Sequence, residues 1–196
     1  MKDCPFDCFC MENTCDRACP RFAEISYLLE RNGILESVDV YSDALKMRDT
    51  ASEWIKKSAG KLGCVISANT ISTTCAITYA AVCENWLGNQ LHCSVYNLKF
   101  SQYLDLMQKS WSAKDPIESL EMIDIWIRSA KILIVSNIDF VQFKDFQAQI
   151  LLNLIHERMD SRQTTIVVSP SLNNLVGNGA FYTRLRSILG EAVIAK

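Results

Sequence analysis

Five of the nine cysteines fall in the first nineteen residues, as Cys4-x3-Cys8-x-Cys10-x4-Cys15-x3-Cys19, followed by Pro20. Thiolates this close repel one another unless a cation holds them, and zinc takes four in a tetrahedron. Five ligands for four places leave one spare, and the spacing does not say which. An iron–sulfur cluster is the rival reading and free thiols the third. A unit this short has almost no hydrophobic core, so a bound metal would supply its folding energy. The N-terminal MKDCPFDCFC has no apolar h-region, so no secretory signal is expected, and a reducing cytosol favours metal over disulfides. Cys64, Cys75, Cys83 and Cys93 are scattered through apolar segments and read as small buried hydrophobes.

A second chemistry is outlined by Leu62–Leu87, which reads as strand, tight loop and helix. That is the frame of a phosphate-binding loop, G-x-x-x-x-G-K-[ST]. Its glycines let backbone N–H groups close on phosphate, its lysine reaches the charge and its hydroxyl meets magnesium. Here Ala68, Thr73, Thr74 and Cys75 occupy those four places, and no lysine lies between Gly63 and Gln90. Asn69, Thr70 and Ser72 complete the loop; with Thr73 and Thr74 they offer hydroxyls and N–H groups but no cation. Binding of ATP and magnesium is therefore expected to be weak or absent.

The elements that must hold this loop alternate between strand and helix, the pattern of a parallel sheet. Arg21–Asn32 reads as a helix ended by Gly33, Ile34–Ser42 as a linker and Asp43–Ser58 as a second helix. Leu62–Ser67 is the first strand and Thr74–Leu87 the helix after the loop, stopped by Gly88. Leu91–Asn97 is the second strand, followed by helices over Phe100–Ser110 and Ile117–Arg128. Lys131–Ser136 and Thr164–Ser169 are all-apolar enough for buried strands. Between them Lys144–Asp160 is a long helix, with Phe146, Ile150, Leu151, Leu154 and Ile155 expected on its inner side. Tyr182–Leu189 is the last helix and Glu191–Ala195 the closing strand.

The order of parts resembles the bacterial DnaC-type helicase loaders, particularly the short ones carried by phages and prophages. The likeness spans Cys4 to Lys196: the Cys-rich start, the strand with its P-loop-like turn, KILIVSNIDF, the long helix, TTIVVSPSLNNL and the TRLRS helix. Those proteins are AAA+ ATPases that place the replicative helicase on DNA. The resemblance implies an α/β fold of the P-loop NTPase (AAA+, ASCE-like) type. Its five-stranded parallel sheet would be flanked by helices in the order 5-1-4-3-2. In the family the strand matching ILIV is followed by two acidic residues that hold magnesium and orient water. Ser136 and Asn137 stand in those places, and Asp139 lies past the strand end, where it reads as a turn residue. Pro170 stands where the family has a polar sensor residue. Arg184, in Thr183-Arg184-Leu185-Arg186, matches the arginine that reaches a neighbouring subunit's nucleotide. A solvated surface arginine is the plainer alternative.

The chain thus reads as a metal-stapled module over residues 1–33 and a degenerate AAA+ domain over residues 34–196. The implied partner is the replicative helicase or a catalytic loader subunit, within a homo- or hetero-oligomer in the bacterial cytoplasm. Two other readings stand beside it: an atypical but active ATPase loader, and a Cys-cluster sensor or nucleic-acid binder built on the same platform. A net charge of −2 creates no global field towards nucleic acid or anionic membrane, and no apolar run is long enough to span a bilayer. Lys56, Lys57 and Lys61 form a small basic group that reads as a solvated face or a phosphate contact. His92 and His156 are isolated and read as structural. Trp54, Trp86, Trp111 and Trp126 read as packing anchors. Phe140 and Phe143 could be exposed and mark a partner surface.

Overall fold

Five apolar runs pair side by side as one parallel sheet in the computed structural model, which describes Tyr27, Glu30, Arg31 and residues 53–55, 60–87, 95–113, 115–138 and 142–195. The strands are β1 (Leu62–Ile66), β2 (Val95–Lys99), β3 (Ile132–Ser136), β4 (Thr164–Ser169) and β5 (Val193–Ala195). The helices are α1 (Thr70–Leu87), α2 (Phe100–Ser110), α3 (Glu118–Ser129), α4 (Asp145–Asp160) and α5 (Ala180–Glu191), with a 3-10 turn at Leu172–Asn174. Residues 27, 30, 31 and 53–55 are also helical. The strand order is β2-β3-β4-β1-β5 and every pairing is parallel. This is the 5-1-4-3-2 order expected above, read from the other edge.

Both faces of the sheet are covered, which is why its central strands are continuously apolar. Side chains alternate along each strand. Leu133, Val135 and Val167 face a core built with α2 to α5, including Phe100, Leu104, Leu151, Ile155 and Leu185. Ile132, Ile134, Ile166 and Val168 face α1 through Ile77, Ala80 and Ala81, with Trp54 and Ile55 packed alongside. Gly63 permits the last contact: a Cβ there would lie 2.7 Å from the Trp54 ring.

Several expectations shift. α1 begins at Thr70, four residues before the predicted Thr74, because Asn69 caps it there. β2 runs on to Lys99 because Leu98 is buried. Phe146 is not in the core. The inner side of α4 is Ala148, Leu151, Leu152 and Ile155, whereas Phe146 sits on its outer surface. There it tilts against Trp111, ring centroids 5.8 Å apart. Trp111 is no packing anchor either; it is 65% exposed, at the cap just past the last residue of α2. Phe143 reverses the other way: it is buried and stacks on Phe100 at 5.8 Å. Trp54 and Trp126 are half-buried and Cys64 is fully buried. Cys4, Cys8, Cys10, Cys15, Cys19, Lys56, Lys57, His92, Cys93, Asp139 and Phe140 lie outside the described residues, as does the boundary at residue 33.

Candidate functional site

β1 and β4 are neighbours, yet the helix after β1 crosses one face of the sheet and the helix after β4 lies on the other. The crevice beyond their C-terminal ends is a topological switch point, where open α/β sheets bind ligands. Its rim consists of the β1–α1 turn, the end of β3 and the residues after β4.

The β1–α1 turn is three residues long, Ser67 to Asn69. The Ser67 N–H donates to the Ser169 carbonyl at 3.0 Å, extending the β1–β4 ladder. Asn69 caps α1: its Oδ1 accepts the Ser72 N–H at 3.1 Å, and its carbonyl accepts the Thr73 N–H at 3.1 Å. The Thr73 hydroxyl donates to Ser67 Oγ at 2.6 Å, and Ser67 Oγ lies 3.3 Å from both the N–H and the carbonyl of Asn69. The turn is thus closed by its own polar groups. Of the matched positions, Ala68 and Asn69 lie in the turn, while Thr70, Ser72, Thr73, Thr74 and Cys75 are helical. Ile71 points outward, 67% exposed.

Thr74, in the place of the phosphate-binding lysine, is buried, and its hydroxyl has no hydrogen-bond partner among the described residues. Its carbonyl accepts the Thr78 hydroxyl at 2.7 Å. Cys75 is half-buried; burial raises its thiol, and the charge of Lys99 only partly opposes this. A neutral thiol is a poor metal ligand.

Ser136 is buried at the end of β3 and donates to Asn97 Oδ1 at 2.7 Å, tying β3 to β2. Asn137 follows with a φ of 58°, a left-handed conformation that asparagine tolerates better than most residues. Pro170 is half-buried beyond β4, beside a Ser169 hydroxyl that donates to the Ser171 carbonyl at 3.0 Å. Arg184 is exposed on α5, two residues before Arg186, whose Nη2 donates to Asn173 Oδ1 at 2.7 Å. From Ser67 to Thr74, Ser136 to Ile138 and Ser169 to Leu175 there is no charged side chain. These residues do not fit a magnesium nucleotide: the amine and the carboxylates are missing at the matched positions, and the Thr73 hydroxyl is committed to Ser67. Among the described residues no group of three or more His, Cys, Asp or Glu side chains is placed to hold a metal.

Two residues escaped the sequence reading. Asn97 interrupts the apolar run of β2, and its signal was that interruption. Arg158 is buried and makes five hydrogen bonds, to Thr165 Oγ1, Gln163 Oε1 and the carbonyls of Ile127, Ala130 and Thr164. Its signal was its spacing, at i+7 and i+3 from the inner residues Leu151 and Ile155. No protein-family model matches the chain, and no curated protein sequence matches it.

Proposed function

We propose that this protein is a non-hydrolysing relative of the helicase loaders, which binds the replicative helicase or a loader subunit and modulates helicase loading. The observation that carries the reading is the β1–α1 turn. It sits at the switch point of a sheet with the loader strand order, yet is closed by its own hydroxyls and carries no charge. Phosphoryl transfer needs a cation after β1 and carboxylates after β3 to hold magnesium, and the matched positions Thr74, Ser136 and Asn137 supply neither. β3 and β4 are buried along their whole length and every strand is paired, so the scaffold is kept where the chemistry is not. The exposed Trp111–Phe146 pair adds a reason to expect a protein partner, because large exposed aromatics are favoured anchors at interfaces. In this reading the N-terminal cysteines hold one zinc through four of Cys4, Cys8, Cys10, Cys15 and Cys19, and the module faces the helicase.

The test is light scattering after size exclusion, with the protein mixed with its host's replicative helicase, with and without ATP. A defined complex that ignores ATP is the expected result. Calorimetry on this chain alone should show no heat of ATP binding. Tight ATP binding with turnover would instead make it an active loader. Metal analysis should find about one zinc per chain in colourless protein; a brown protein would place an iron–sulfur cluster there.

A further inference from the structure

A cleft of about 240 Å3 opens at the β2 edge of the sheet, between that strand, α2, α3 and the helical residues Glu30 and Arg31. It is separate from the β1–α1 turn. Two cations line it, Arg31 and Lys99. The Arg31 guanidinium lies over the Trp126 ring, 5.3 Å from its centroid. Its charge also reaches Tyr96, where it opposes the burial that raises the phenol. Neither cation is ion-paired with a described residue. Gln102 adds a side-chain amide, and Leu106 and Ile123 supply a half-buried apolar wall. Lys99 is also the N-cap of α2, whose first turn holds no acidic side chain. A cation there opposes the helix dipole, an arrangement that an incoming anion would relieve.

We propose that this cleft binds a small organic oxyanion, a carboxylate or a phosphate monoester, carried on an apolar body. A guanidinium held over an indole is preorganised, so little entropy is lost when its N–H groups grip an oxyanion. Lys99 supplies a second positive charge, and the apolar wall takes the rest of the ligand. Glu30 leaves the lining with one net positive charge, which suits a single carboxylate or phosphate head better than a polyphosphate. The volume is below the roughly 300–1,000 Å3 of drug-sized pockets, so a single-ring acid is the right scale. The inference is independent of the helicase reading and of any nucleotide at β1.

The experiment is calorimetric titration of the full chain with benzoate, phenyl phosphate and the neutral benzamide. At least one anion should saturate, and benzamide should bind about tenfold more weakly or not at all, since a charge-assisted contact is lost. Lys99→Gln, at an exposed position, should weaken the anion about fivefold or more with an unchanged melting temperature. Arg31→Gln should weaken it similarly. A preference for phenyl phosphate assigns a phosphate ligand, and a preference for benzoate a carboxylate. The proposal is overturned if no probe binds, if benzamide binds as well as benzoate, or if both variants bind the anion like the parent.

Discussion

Arg158 shows how much of this fold hangs on single polar side chains. Its guanidinium gathers the carbonyls of Ile127 and Ala130 at the end of α3 with that of Thr164 at the start of β4. Burial draws its pKa down to about 10, so it remains a cation at neutral pH. Replacing it with leucine would leave buried carbonyls unpaired, and we expect a loss of roughly 3 kcal/mol in urea unfolding. Thr74 is the opposite case. Its hydroxyl is buried without a partner among the described residues, so Thr74→Val should be neutral or stabilise by up to about 1 kcal/mol. Cys64 is fully buried in β1, and burial pushes its thiol up from 9.0 to about 12. Because the folded value lies above the unfolded one, its contribution is intact below pH 9 and is lost as pH rises towards 12. Tyr103, raised by burial and by Asp124, pulls in the same direction. Stability measured between pH 8 and 11 should fall, and Cys64→Ala should flatten that fall despite its cost in packing.

At the scale of elements, the start of α1 decides the shape of the candidate site. Asn69 satisfies the Ser72 N–H, so helix replaces four residues predicted as loop. Asn69→Ala should cost about 1 kcal/mol, read by thermal unfolding. The contact between β1 and the helical segment around Trp54 depends on Gly63 having no side chain. Gly63→Ala would drive a methyl into the indole, and we expect about 1–3 kcal/mol of destabilisation. A similar close approach occurs where α5 meets α4: a Cβ on Gly179 would lie 1.8 Å from the Asp145 carboxylate. Near the start of α4, Trp111 and Phe146 cover each other while remaining exposed. Trp111→Ala should leave stability nearly unchanged. If this pair anchors the proposed partner, it should weaken the complex by about tenfold or more in the light-scattering assay.

Across the whole molecule, one sheet separates two cores and brings four strand ends to a common edge. That edge carries two separate hydrogen-bonded pairs, Ser67 with Ser169 and Ser136 with Asn97, with no charge among them. The same topology leaves β2 at an edge, where Arg31 reaches Trp126 and the second cleft forms. The candidate nucleotide crevice and the oxyanion cleft thus flank the strands β3 and β4 without sharing a residue of the β1–α1 turn. Fluorescence of an ATP analogue should therefore stay unchanged in the presence of the protein, whether or not benzoate fills the cleft.

The sequence alone determined the sheet. The apolar runs KILIVS and TTIVVS can be buried only on both faces, and helical periods between them leave a parallel arrangement as the consistent choice. It also determined that the stretch from Ser67 to Thr74 carries no charge, since charge is a property of residue type. Tertiary structure decided the rest. Ala68 through Cys75 could be read as loop or helix until the cap at Asn69 and the Thr73–Ser67 bond closed the turn. Phe143 precedes α4 and Phe146 lies in its first turn, and only packing fixes which of the two rings faces inward. The Arg31–Trp126 pair was invisible for the same reason: the two residues are distant in sequence and meet only when the helices dock.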